Sequence, residues 1–416
     1  MTTGTSKGKA RLNFKGLLGP ALVAGVAYID PGNIATNLTA GSRFGYLLVW
    51  VLVAATLSAA LFQFLAAKLG LATGQSLTAL LGGRFKSNAG RIAFWLQAEA
   101  VAIATDVAEV LGGAIALTLL TGLPTLVSAL VVALVSLVIT ALRSRAKGEF
   151  TGVVIFLLLC ATAGFVTIMA RSNIDWIQVS GGLLPRFDGT ESLLLAASII
   201  GATIMPHAIY AHSALSRDTR ETNHGLGLPG KHWSLGRLGV IRLDVAVAMT
   251  IAGLGNLAII LFSAANLSGK HGATTLLNAP QLPDSQPGKG IGVVFILALF
   301  SSGIASSAVG NYAADEITVG LLKRKVSPLA RWLLALVPAL GLIAFSPNVT
   351  DAVVYSQVVL SFGLPFAIFP LVKLTANRQV MGSFTNPRLV TALGYTIAAL
   401  LTVLNLVLVF SLFFGA

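Results

Sequence analysis

The sequence predicts an all-α integral membrane protein of eleven helices, in which two five-helix units repeat in inverted orientation. Three observations predict it. Apolar runs of membrane-spanning length recur from near residue 17 to the C-terminus, basic residues gather in alternate loops, and helix-breaking strings interrupt the first and sixth runs. The 416 residues are 55% hydrophobic and only 10% charged, with mean hydropathy +0.84. A soluble domain carries about 25% charge. The 43 glycines fit closely packed membrane helices. The lone cysteine, Cys160, excludes an intrachain disulfide and a cysteine-rich metal site.

The spans fall at roughly 17–41, 45–70, 91–118, 123–142, 150–170, 190–213, 242–266, 290–314, 330–346, 352–373 and 389–414, by length and apolarity. The basic stretch 1–16 has no small-residue cleavage site after the following apolar run, so it reads as a cytosolic tail. With the N-terminus inside, the outer loops hold only Arg43, Arg171, Arg186, Lys270 and Lys289 of the 28 Lys and Arg. The clusters Arg143, Arg145, Lys147 and Lys323, Arg324, Lys325 fall inside. This asymmetry places the N-terminus in the cytoplasm and the C-terminus outside. It also assigns the net charge of +13 to anionic headgroups at the cytoplasmic face rather than to nucleic acid. The connecting pieces, of which 214–241 and 267–289 are the longest, are too short and polar for a soluble domain.

The first break is Asp30-Pro31-Gly32-Asn33 and the second is Met205-Pro206-His207. Five spans separate them, and five is odd, so the second unit enters from the opposite side of the membrane. The chain then divides into the tail 1–16, a first unit 17–170, an inverted second unit 190–373 and an additional helix 389–414. Inverted repeats with paired broken helices characterise secondary transporters, with the substrate bound where the breaks cross.

Each break carries ligand-type side chains. An aspartate at membrane depth is costly and functional by default. Oxygens from Asp30 and Asn33 with the Met205 thioether form a mixed hard and soft set suited to a divalent transition metal. Plainer readings stand beside this one. Asp30 before Pro31 is a good cap for the second half-helix. Asn33 can satisfy loose amides at the break, and methionine in an apolar helix usually packs. Glu99, Asp106 and Glu109 are spaced 0, 7 and 10 along the third span, one helical face, and read either as a proton relay or as a static network. His207 and His212 follow the second break, and histidine titrates near working pH. Arg331 is a candidate partner for one of Asp244, Asp315 or Glu316. His224, His232 and His271 lie in loops. No nucleotide-binding glycine fingerprint, haem signature or metalloprotease spacing is present, so the chain does not read as an enzyme.

The string DPGN, the segment IGATIMPHAIYAHSAL, the third-span QAEAVAIATDVAEVLGGAIAL and the tenth-span SQVVLSFGLPFAIFP together resemble the natural resistance-associated macrophage protein (Nramp) family, its bacterial MntH branch in particular. The resemblance runs from Gly19 to the last span, although some relatives have a twelfth. It implies a LeuT-like fold and proton-coupled import of divalent metal, chiefly manganese, with iron, cobalt and cadmium as further cargo. It implies metal contacts from the carbonyls of Ala27 and Ala202, and from Gln357 in an occluded state. It gives His207 a role in proton coupling or gating. It implies no resident cofactor and no obligatory protein partner, in a plasma or inner membrane. The residues leave open an organic-solute carrier on the same scaffold, which needs no ligating methionine. They also leave open a metal uniporter or channel, which needs no paired breaks.

Overall fold

The computed structural model describes residues 19–225, 236–269, 276, 290–345 and 349–414, and the tail 1–16, Lys270, His271, Lys289 and His232 lie outside them. The described residues form sixteen helices. They are α1 Pro20–Gly25, α2 Pro31–Phe44, α3 Val49–Thr73, α4 Leu77–Gly82, α5 Asn88–Thr121, α6 Thr125–Arg145, α7 Lys147–Ala170 and α8 Trp176–Gly181. Then come α9 Gly189–Thr203, α10 Pro206–Gly225, α11 Gly236–Asn266, α12 Ile291–Leu322, α13 Pro328–Phe345, α14 Val349–Thr375, α15 Arg378–Met381 and α16 Arg388–Phe414.

Eleven membrane-length units result. Among the described residues nine stretches are long and apolar enough to cross by themselves, one of them running unbroken in hydropathy through α9 and α10. The pair α1 and α2 and the shorter apolar α13 complete the set. The lipid-facing helices keep large apolar side chains outward, such as Leu134 and Val138 on α6, Phe156 on α7 and Leu406 on α16. This is the inverse of a soluble surface and the form a bilayer requires. The two broken spans lie inside: α2 packs on α9 and α11, α10 on α3, and α5 runs the length of α12.

Both breaks fall where the sequence places them, and proline sets each restart. Pro31 opens α2 and Pro206 opens α10, positions where its missing N–H costs nothing. Other edges differ. α10 continues to Gly225, well past the expected end near 213, because its polar residues remain helical beyond the apolar stretch. α12 continues to Leu322, which puts Asp315 and Glu316 within a helix. The short connectors α4, α8 and α15 carry no membrane-length signal and start on polar caps, Ser76, Asp175 and Asn377.

Candidate metal centre

At the first break a single turn of 3-10 helix, 26–28, carries Ala27 at its middle and leads into extended Asp30. Asp30 is fully buried and caps α2. Its Oδ1 accepts from the Asn33 N–H at 2.9 Å and from the Asn33 Nδ2 at 2.7 Å, and its Oδ2 accepts from the Gly32 N–H at 3.1 Å. The freed carbonyls are answered from elsewhere in the bundle. Ser302 of α12 donates to the Ile29 carbonyl at 2.7 Å, and Asn256 of α11 donates to that of Tyr28. Buried backbone acceptors left without partners would be costly, and these two polar residues remove that cost.

At the second break α9 ends at Thr203, and Ile204 leaves helical geometry with its N–H still bonded to Ile200. The fully buried Met205 stands between the half-helices. The two breaks are joined by Asn33. Its Nδ2 donates to the Ala202 carbonyl at 2.7 Å, and its Oδ1 accepts from Thr203 Oγ1 at 3.3 Å. Gln357 on α14 completes the arrangement: a Cβ built on Gly32 would strike its side-chain amide and lie 2.7 Å from Asp30 Oδ2. Gln357 Oε1 is buried without a hydrogen-bond partner, while its Nε2 is 3.1 Å from Ser356 Oγ.

Asp30 Oδ1 and the Ala202 carbonyl therefore converge on one point, the Asn33 Nδ2, each 2.7 Å away. Two acceptors meeting at one position call for a positive partner. A half-turn of the Asn33 amide exchanges its nitrogen for oxygen, and the two atoms are distinguished only by their hydrogen bonds. Three oxygens, from Asp30, Asn33 and Ala202, would then gather at the crossing, with the orphaned Gln357 Oε1 on the side chain that packs against Gly32. Such a donor set fits a borderline divalent cation as cargo. It holds a single carboxylate, and among the described residues no group of three His, Cys, Asp or Glu side chains is placed to hold a metal.

The acids of α5 divide into two groups. Glu99 is ion-paired with Arg331 of α13 at 2.5 Å and accepts from Thr318 of α12 at 3.2 Å. Arg331 thus pairs with none of Asp244, Asp315 and Glu316. Asp106 and Glu109 face α12 at Gly310, where an added Cβ would lie 2.8 Å from Asp106 Oδ1 and 2.7 Å from Glu109 Oε2. Asp106 Oδ1 and His207 Nε2 are buried without a hydrogen-bond partner, and His207 Nδ1 is 3.4 Å from Thr105 Oγ1 one residue before Asp106. His212 is bonded through Nδ1 to Gln63 Oε1 at 2.5 Å, and Gln63 donates to Tyr28.

Asp244, Glu316 and Asp218 have structural partners. Asp244 of α11 accepts from the N–H groups of Gly19 and Ala21 at 3.1 and 3.0 Å, so it caps α1 from across the bundle. Glu316 takes both terminal nitrogens of Arg217, at 3.0 and 2.8 Å. Asp218 binds Arg217 and, at 2.6 Å, Arg143, whose guanidinium lies 3.5 Å from the Tyr312 ring centre. Asp315 is exposed. At the other end of the bundle Arg43 of α2 pairs with Glu191 of α9.

Known proteins resemble the chain over nearly its whole length. The profile of natural resistance-associated macrophage protein-like sequences matches residues 21–411. A divalent metal cation transporter MntH of Mycobacterium tuberculosis is 47% identical over 396 residues, covering 95% of this chain and 91% of its own. That of Chromohalobacter salexigens is 40% identical, covering 99% and 95%. The crystal structure of the Eremococcus coleocola manganese transporter, in complex with an aromatic bis-isothiourea substituted compound, superposes with a TM-score of 0.82 at 26% identity, covering 98% of this chain and 88% of that one. A nucleobase-cation symporter, Mhp1, shares the fold at TM-score 0.59 and 14% identity. With the profile matched over residues 21–411 and relatives 40–47% identical over nearly the whole length, the chain belongs to the natural resistance-associated macrophage protein family.

Proposed function

We propose that this chain imports divalent transition-metal ions, manganese first among them, into the cytoplasm by alternating access and moves protons with them. One observation carries the reading: a carboxylate and an amide of the first broken span meet a carbonyl of the second at one buried position, with the Gln357 amide beside Asp30 and the buried Met205 three residues past the Ala202 carbonyl. One carboxylate suits cargo. A site rich in charge would bind a divalent ion too tightly to release it. The thioether disfavours calcium and magnesium, which prefer oxygen, and tolerates manganese, iron, cobalt and cadmium. An organic substrate would need a larger cavity and no soft ligand.

Asp30, Asn33, Met205 and Gln357 are closed to both faces of the bundle. Exchange then requires release of one end at a time: the Arg43–Glu191 pair on one side, and the Arg217–Glu316 and Arg143–Asp218 pairs on the other. Placing the basic end in the cytoplasm of a plasma or inner membrane makes the potential drive entry. The work is about 2.3 kcal/mol per charge per 100 mV, and a divalent ion feels it twice.

Asp106, Glu109 and His207 are the proton-carrying candidates. They are buried, and Asp106 and His207 each keep an unpaired polar atom. Glu99, held by Arg331, serves as an anchor or as the far end of the path. Proteoliposomes containing a pH-sensitive dye, with manganese added outside, report both fluxes. Asp106→Asn or Glu109→Gln should keep metal binding and weaken proton entry or the pH dependence of uptake, because each removes a titrating group and no ligand. A variant moving both ions in the wild-type ratio would remove its residue from the path. Wild-type metal uptake without proton flux at any potential would leave a uniporter or channel.

A further inference from the structure

At the end of the bundle that carries the basic clusters, a groove of about 430 Å³ opens between α4, the connector from α4 to α5, α14 and α16. Its wall is aromatic. Phe369 and Tyr395 lie 6.1 Å apart between α14 and α16, and Phe85 contacts Phe94 at 5.5 Å beside it. Its rim carries Arg84 and Lys373, both exposed. Neither side chain makes an ion pair or hydrogen bond with another described residue. No carboxylate lines the groove. The neighbouring stretches 82–91 and 373–388 add Lys86, Arg91, Arg378 and Arg388 without one Asp or Glu. Arg143 and Arg217 at this end are, by contrast, neutralised by Asp218 and Glu316.

We propose that this groove is a binding site for one anionic phospholipid, its phosphate between Arg84 and Lys373 and an acyl chain along Phe369 and Tyr395. Charge complementarity selects the occupant, because two unneutralised cations flank an apolar wall at headgroup depth. Basic pockets between membrane helices at the cytoplasmic side take acidic headgroups, and tyrosine favours the same interface. The apolar wall demands a tail as well as an anion, which excludes free phosphate as the intended ligand. The site is remote from both breaks and does not depend on the metal reading.

The test is native mass spectrometry of the full chain in detergent with added dioleoyl phosphatidylglycerol or dioleoyl phosphatidylcholine. The wild type should retain one phosphatidylglycerol in preference to phosphatidylcholine. The double variant Arg84→Gln/Lys373→Gln should lose about twentyfold in retention, since each basic residue near an anionic lipid is worth about fivefold. The charge-keeping exchange Arg84→Lys/Lys373→Arg should retain the lipid, and Lys323→Gln/Lys325→Gln at the other basic cluster should leave retention unchanged. Equal retention in the first double variant would overturn the proposal. So would an equal loss in the control cluster, absence of preference in the wild type, loss in the charge-keeping exchange, or displacement of the lipid by millimolar inorganic phosphate alone.

Discussion

The two breaks meet the same backbone problem with different chemistry. The first is polar throughout: Asp30 caps the restart, and Asn256 and Ser302 reach in from α11 and α12 to take the loosened carbonyls. The second supplies a methionine and a proline, and its Ala202 carbonyl borrows its partner, Asn33, from the first. Charge and hydrogen-bonding capacity are thus concentrated on one broken helix and polarisability on the other. In the proposed metal reading, only their crossing produces a mixed site. The division separates affinity, which a carboxylate dominates, from selection among metals, which the softer ligand sets.

Substitution at the first break gives the largest expected effect. Asp30→Asn keeps the size and much of the cap but removes the only carboxylate at the crossing. Manganese affinity by calorimetry should fall at least about tenfold, since even partners behind metal ligands are worth that much. Wild-type affinity would reduce Asp30 to a cap. At the second break Met205→Ala should change preference more than strength. Cadmium and iron uptake should drop further than manganese uptake, and calcium or magnesium should compete better in vesicles. Unchanged competition would mean that the methionine only packs. The smallest effect is expected at Asp244, which holds the start of α1 and is absent from the crossing. Asp244→Asn weakens two hydrogen bonds to a charged acceptor, costing about 1 kcal/mol. The thermal midpoint should fall slightly with manganese affinity intact, and an affinity loss like that of Asp30→Asn would extend the polar set of the first break to α11.

The fold was legible because its signals are long. Apolar runs, alternating basic loops and two proline-bearing breaks leave few arrangements open, and the edges missed, as in α10 and α12, are those where helix outlasts hydropathy. At the crossing, Asp30, Asn33 and Met205 stood out because polar or soft side chains beside helix breakers are rare in membrane spans. Pairings between helices were not legible. Nothing in the periodicity of α5 assigns Glu99 to Arg331, or separates it from Asp106 and Glu109, because the partner is chosen by tertiary packing. Asn256 is one amide in an apolar span, and nothing around it in the sequence assigns it to the Tyr28 carbonyl. Ser302 and Thr203 resemble the many hydroxyls that only bond their own helix.

One contact ties the acids to the metal crossing mechanically. A Cβ built on Gly112 of α5 would fall within the ring of Pro31. Gly112 is one turn beyond Glu109 on the same helix, and Pro31 is the residue on which α2 restarts. No side chain cushions the two. A hinge movement at the first break must therefore push α5 along with it or tear open a void beside it, and voids in packed interiors are penalised. Even a methyl group there would act as a wedge. The close approach at Gly112 joins the first break to the helix that bears Asp106 and Glu109, a linkage that needs no charge to transmit a displacement.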